Sequence, residues 1–103
     1  MAKDFARFKD ARRQLHAFLQ PGTALCIPTT PSAPPLLGKV DYDRVGNGYV
    51  VKALCLTAFA GIGGFPQVTL PLSTSEGLPI GFSLIGGTNA DLALLSAAEH
   101  LAA

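Results

Sequence analysis

Charge is what this sequence has least of. Asp, Glu, Lys and Arg make up 15% of its 103 residues, against ~25% in an ordinary soluble domain. Apolar residues make up 49%, and the mean hydropathy is +0.35. Disorder is excluded, because it requires low hydrophobicity and high charge. Long apolar runs are also missing. No stretch approaches ~18 residues without Gly, Pro or charge, which excludes a membrane-spanning helix. A net charge of +1 gives no general attraction to nucleic acid or to an anionic membrane. The length allows one domain or a piece of a larger one, burying roughly 65% of its unfolded surface. Small domains have proportionally more surface to cover, so a 10.7 kDa chain is expected to be more polar than this one.

Cysteine is scarce, and its pattern is uninformative as a framework. Cys26 and Cys55 each follow Ala-Leu and precede an apolar residue, and there is no Cys-x-x-Cys pair. A small secreted scaffold would carry more cysteines at regular spacings. The apolar flanks predict two buried, reduced thiols. The first ten residues are charged and periodic and lack the apolar core of a signal peptide. The expected location is therefore cytoplasmic.

What the chain does contain is element-forming pattern. Phe5, Phe8, Leu15, Phe18 and Leu19 recur at helical spacing, with Lys3, Arg7, Lys9, Asp10 and Arg13 between them. They predict an amphipathic helix over 3–19, ended by Pro21-Gly22. Residues 24–27 form a short apolar run suited to a buried strand, leading into a proline-rich loop over 28–35. Residues 36–48 read as an irregular connection, with Asp41, Asp43, Gly46, Asn47 and Gly48 supplying turn chemistry. Val50 to Ala60 is apolar almost all round, with Lys52 its only charge, which predicts a helix buried on most sides. Two alternating runs around a polar loop at Ser73–Gly77 predict a hairpin over 67–85. Pro71 and Pro79 belong at an edge or at strand ends. Thr88 and Asn89 are N-cap candidates for a last helix carrying Leu92, Leu94, Leu95, Ala98, Leu101 and Ala102. The fold class is α/β, in the order helix, strand, helix, strand, strand, helix.

Catalytic and ligand motifs are sparse. His16 and His100 lie on different helices and have no metal-ligand spacing with the scattered acids. A cysteine nucleophile would need a base beside it, and apolar flanks raise a thiol's pKa. Asp41 to Gly46 opens like a calcium loop but has Val45 where a ligand belongs, so it reads as a turn. Gly61-Ile-Gly-Gly-Phe-Pro66 matches only the first half of a dinucleotide loop and precedes a strand. The Lys3, Arg7, Lys9, Arg12 and Arg13 cluster is interrupted by Asp4 and Asp10 and reads as a solvated helix face. No serine sits in Gly-x-Ser-x-Gly or Ser-x-x-Lys. No cofactor and no metal are expected.

Four pieces nevertheless occur together in a familiar order. They are Leu25-Cys-Ile-Pro-Thr-Thr-Pro-Ser-Ala-Pro34, Thr57-Ala-Phe-Ala-Gly-Ile-Gly-Gly-Phe-Pro-Gln-Val-Thr-Leu-Pro71, Gly77-Leu-Pro-Ile-Gly-Phe-Ser-Leu-Ile-Gly86, and Asp91 opening a leucine-rich helix. In that order they resemble the C-terminal part of the amidase signature family, which covers nearly the whole chain. The resemblance implies the C-terminal portion of a mixed sheet with helices packed on it. It also implies carboxamide hydrolysis by a serine, a bridging cis-serine and a lysine base. A lysine can act as base only when burial and neighbours lower its pKa. The family's Gly/Ser-rich segment also supplies oxyanion donors. This chain has no Gly-Ser-Ser or Ser-Gly-Gly run, and Lys39 and Lys52 are not in a matching context. The triad therefore maps onto none of its residues.

The resemblance makes Thr29, Thr30 and Thr57 candidates to line a substrate funnel. Each also has a plain structural explanation: an extended proline-rich loop suits the first two, and Thr57 can bond its own helix backbone. Glutamine-using transamidation subunits carry an acidic residue where Ala53-Leu-Cys-Leu56 stands, and favour Gln at the position of Ser83. The general amidase type fits better. The expected organisation is one unit over 1–103, a C-terminal fragment of an amidase-like domain that is inactive alone. Its expected partner is the remainder of the amidase chain or a complementary subunit, and its apolar surface could also support a homo-oligomer. No nucleic acid and no membrane partner are expected. Alternatives are a free-standing binding or assembly module that retains the fold, and one chain of a split amidase.

Overall fold

The computed structural model describes residues 2–38 and 48–102. Helix α1 spans Ala2–Phe18, strand β1 Ala24–Pro28, helix α2 Tyr49–Gly63, strands β2 Gln67–Ser75 and β3 Leu78–Gly86, and helix α3 Asp91–Ala102. This is the expected order in a mixed α/β fold. The turn chemistry of Asp41, Asp43, Gly46 and Asn47 lies outside the described residues.

The three strands form one antiparallel sheet in the order β1-β3-β2. Leu25 faces Ile85 and Ile27 faces Ser83 on one side of β3, while Gln67 faces Ile85 and Thr69 faces Ser83 on the other. The hairpin turn is tighter than the sequence predicts. Only Glu76 and Gly77 form it, with φ of 53° and 79°, as a type I′ turn requires. Ser73, Thr74 and Ser75 continue β2 instead of forming a loop.

Both prolines occupy tolerant places. β2 is an edge strand, and Pro71 lies where its register slips between Leu70 and Ser73. Pro79 pairs with Thr74 beyond the end of β1, whose last partner is Phe82.

Alternation along β3 sends Ser83 and Ile85 to one face and Leu84 and Gly86 to the other. On the first face Ile85 is fully buried among Leu19, Ala60 and Phe65, with Leu15, Leu25, Ile27 and Phe59 around them. On the second, α3 lies against β2 and β3. It comes so close at Gly86 that a Cβ there would stand 2.8 Å from the Ala90 Cβ.

The helices end for local reasons. Gly64 takes φ of 69° just past α2, and the Phe65 N–H donates to the Ala60 carbonyl at 2.9 Å. Phe65 also packs on Phe59, with ring centroids 5.7 Å apart. This is a Schellman stop with its apolar contact. At α3, Thr88 and Asn89 are not caps. They are the middle of a turn closed by Ala90 N–H to Gly87 O at 3.1 Å, with Asn89 at φ of 66°. Ala90 is the cap residue, since its carbonyl accepts the first helical bond from Leu94.

Burial departs from the sequence reading in a consistent direction. Cys26 and Cys55 are free and exposed, not buried. In α2 only Ala60 and Gly63 are buried, and Leu54 is 62% exposed. Phe5 and Phe8 of α1 and Leu92 and Leu95 of α3 are exposed as well. The accessible surface is 7379 Å², against about 5,500 Å² expected for a folded monomer of this mass. The Cα radius of gyration, 15.6 Å, likewise exceeds the about 13 Å of a compact chain this long. Among the described residues, no helix is long and apolar enough to cross a membrane.

Candidate functional site

The densest polar construction centres on Ser83, which is fully buried on the central strand. Its Oγ lies 2.6 Å from Thr29 Oγ1, 3.1 Å from Thr69 Oγ1 and 3.0 Å from Gln67 Nε2. The register explains this meeting. Thr69 stands directly opposite Ser83, Gln67 is two residues back on the same face, and Thr29 lies two beyond the facing Ile27. Gly81 leaves the room, because a Cβ there would come within 2.8 Å of Thr29 Oγ1.

A serine hydroxyl offers one proton and two lone pairs. The Gln67 amide donates to one lone pair. Of the two threonines, one therefore donates to Ser83 and the other accepts its proton. All three positions are filled, so the group is a closed clamp across β1, β3 and β2. A nucleophilic serine needs a base within hydrogen-bond reach, and none of these partners is one. Sequence motifs could not find this residue, since no catalytic pattern surrounds it. A usable signal was present: one hydroxyl inside Phe82-Ser83-Leu84-Ile85 must be bonded if it is buried.

The three threonines singled out by sequence are not joined to one another by any hydrogen bond among the described residues. Thr29 belongs to the Ser83 clamp. Thr30 Oγ1 donates to the Ser32 carbonyl at 3.1 Å, within its own loop. Thr57 Oγ1 donates to the Leu54 carbonyl at 3.3 Å, a bond to its own helix on an exposed face.

Beside the proline-rich loop lies an open groove of about 280 Å³ lined by Pro31, Ser32, Ala33, Pro35, Tyr49 and Lys52. It joins the loop to the first turn of α2 and carries that helix's one charge. Lys52 is its one charged lining residue, and the Ser32 hydroxyl in its wall donates to the Ala33 carbonyl at 3.2 Å, which leaves that oxygen as an acceptor. Among the described residues, no group of three His, Cys, Asp or Glu side chains is placed to hold a metal ion.

A second polar contact fixes α1 to α2. His16 Nε2 donates to the Gly63 carbonyl at 2.7 Å, and its ring lies 4.7 Å from that of Phe65. Arg12, one turn earlier, borders Gly64, where a Cβ would stand 2.7 Å from its Nη2. A cation there complements the negative end of α2. Arg12 is thus part of the docking of two helices, not only of a solvated face.

Comparison with known proteins adds a consistent assignment. A family model described as Amidase matches residues 2–95. Amidase 1 of Oryza sativa subsp. japonica is 38% identical over 96 residues, covering 93% of this chain and 21% of its own length. The chloroplastic outer envelope protein 64 of Arabidopsis thaliana is 34% identical over 92 residues, 89% of this chain and 15% of its own. A solved structure described as an amidase superposes with a TM-score of 0.72 at 26% identity, covering 94% of this chain and 23% of that one. The chain thus spans about a fifth of the length of the relatives it matches.

Proposed function

The chain belongs to the amidase family, and we propose that it supplies the C-terminal sheet-and-helix unit of an amide-bond hydrolase. In this reading the serine, cis-serine and lysine that do the chemistry lie on polypeptide outside these 103 residues. The unit contributes packing and part of the substrate approach. The observation that carries the reading is the surplus of surface, 7379 Å² against about 5,500 Å² expected. The excess falls on side chains that a lone domain would bury, among them Leu92 at 81% exposure.

The proline-rich loop and the groove beside it form the wall of the substrate approach. Thr30 and Ser32 give that wall its hydroxyls, Lys52 its charge, and Thr57 continues it along α2. Thr29 holds the loop to the sheet through Ser83. Small or apolar amides of the general amidase type suit this wall. The acidic residue expected of a glutamine-using transamidation subunit is absent from Ala53–Leu56. Residues 1–103 act as one unit, whose partner is the remainder of an amidase polypeptide or a complementary subunit. A reducing, cytoplasmic setting is consistent with two exposed thiols that form no disulfide.

The test is amide hydrolysis together with labelling by a serine-reactive fluorophosphonate. The chain alone is expected to show neither. Turnover or labelling by this chain in isolation overturns the proposal.

A further inference from the structure

We infer that Thr29 and Ser83 are the positioning pair of the substrate approach. Their hydroxyl–hydroxyl bond fixes the base of the proline-rich loop, and with it the size of amide that the groove beside α2 admits. This rests on the function proposed above and adds which residues select the substrate.

Neither hydroxyl is free to touch a substrate. Ser83 is fully buried, and its proton and both lone pairs are taken up by Thr29, Thr69 and Gln67. Thr29, which the family resemblance offers as a lining residue, turns its hydroxyl into the sheet instead, 2.6 Å from Ser83 Oγ. What such a pair can do is hold backbone in place.

The backbone it holds is the loop. β1 ends at Pro28, and Thr29 is the last residue before the loop that is tied to the sheet. Its N–H donates to the Gly81 carbonyl at 3.0 Å, and its Oγ1 meets Ser83 two residues further along β3. Gly81 permits this approach, since a Cβ there would stand 2.8 Å from Thr29 Oγ1 and 3.1 Å from Thr29 Cβ. Beyond Thr29 the anchoring stops. Pro31, Pro34 and Pro35 have no N–H to give. Thr30 Oγ1 donates to the Ser32 carbonyl and Ser32 Oγ to the Ala33 carbonyl, both within the loop. Among the described residues, no hydrogen bond ties residues 30–35 to the sheet or to a helix.

The groove begins two residues after that anchor, where Pro31 and Ser32 line it together with Tyr49 and Lys52 of α2. Its width is therefore set by two bonds at Thr29, and one of them is the bond to Ser83. In the proposed function the serine and lysine chemistry lies on polypeptide outside this chain. A displaced wall then weakens the hold on the acyl group and leaves the chemical step alone, which raises KM without lowering kcat. An amide too short to reach the loop is indifferent. Thr69 supplies the control. It bonds the same Ser83 oxygen at 3.1 Å from β2, so its removal loosens the same cluster without touching the loop.

The experiment puts the intact chain in place of the matching segment of the rice relative and measures hydrolysis of acetamide and of phenylacetamide. It compares the natural sequence with Thr29→Val, Thr29→Ser and Thr69→Val. T29V keeps the shape and loses the hydroxyl, whereas T29S keeps the hydroxyl. For T29V the expected result is a KM for phenylacetamide raised about three- to tenfold, with kcat and both acetamide constants unchanged. T29S and T69V are expected to keep the natural KM within about twofold. Amide exchange in the natural assembly gives a second measure that does not depend on how the variants fold. Thr30 and Ser32 amides are expected to slow when phenylacetamide is bound and not when acetamide is. Equal effects of T29V and T69V, an equal fall in kcat for both amides, or exchange that ignores phenylacetamide would each reduce the pair to a structural clamp. Those outcomes overturn the inference and leave the proposed function standing. No turnover of either amide by the natural assembly overturns both.

Discussion

The hydroxyl oxygens of Thr29 and Ser83 stand 2.6 Å apart although 54 positions separate them in the chain. That bond fastens the start of the proline-rich loop to the middle of the sheet, and Thr69 and Gln67 close the same oxygen from the other side. Ser83→Ala removes the shared centre and strips three polar groups of a partner at once. Thr29→Ala leaves Ser83 with two partners and opens a half-buried position to water. Ser83→Ala is expected to cost about 1–3 kcal/mol and Thr29→Ala about 1 kcal/mol. Urea unfolding with an unchanged slope is the measurement. Equal losses would show that the serine is not the centre of the cluster.

Two glycines should respond oppositely to alanine. At Gly86 a new Cβ would meet the Ala90 Cβ at 2.8 Å and Leu94 Cγ at 3.1 Å, both held by the packing of α3. Overpacking of that kind costs about 1–3 kcal/mol. At Gly61, inside α2, nothing lies within 4 Å of the new atom. Alanine there gains about 0.5–1 kcal/mol from reduced chain entropy. Thermal melts of Gly86→Ala and Gly61→Ala should shift in opposite directions.

The hairpin turn carries a correctable strain. Glu76 holds a φ of 53°, with Gly77 at 79° after it, and an L-residue with a Cβ pays about 1–2 kcal/mol in that region. Asparagine tolerates it better, and Asn-Gly is the favoured pair for a type I′ turn. Glu76→Asn is expected to raise stability by about 0.5 kcal/mol, again read from urea midpoints. A loss of stability would mean that the glutamate side chain stabilises the turn in another way.

Leu54 separates folding from assembly. It is 62% exposed on α2, so Leu54→Lys should change the isolated chain's stability by less than about 0.5 kcal/mol. The same change should lower binding of an apolar dye and weaken association with the remainder of an amidase chain. A large stability loss in the isolated chain would show that Leu54 is already packed.

The legible part of this fold is the part that depends on local pattern. The period-two runs on either side of Gly77 placed β2 and β3, and the expected ends at Ala60 and at the Pro21-Gly22 break fell within a few residues of the ends of α2 and α1. Where the sequence reading missed, it missed on coverage. Apolar flanks predicted buried thiols at Cys26 and Cys55, and an all-apolar helix predicted burial of Leu54. Hydrophobicity records what a side chain needs around it, not whether 103 residues can provide it. Thr88 and Asn89 were misread because a turn and a helix cap draw on the same residue types, and only the Ala90-to-Gly87 bond separates them. The clamp around Ser83 was not legible because its partners come from β2 and from the residue just past β1, so their convergence on β3 is set by register.

The proline and register slip on β2 have a consequence best put in the language of polymerisation. A sheet unit with two receptive edges is a bifunctional monomer, and identical copies can add to one another without limit. Among the described residues, Pro71 and the slip after Leu70 cut the outer edge of β2 short after Gln67 and Thr69, so that edge is a poor growing end. A unit that displays this much apolar surface is thereby less prone to propagate a fibre through its β2 edge.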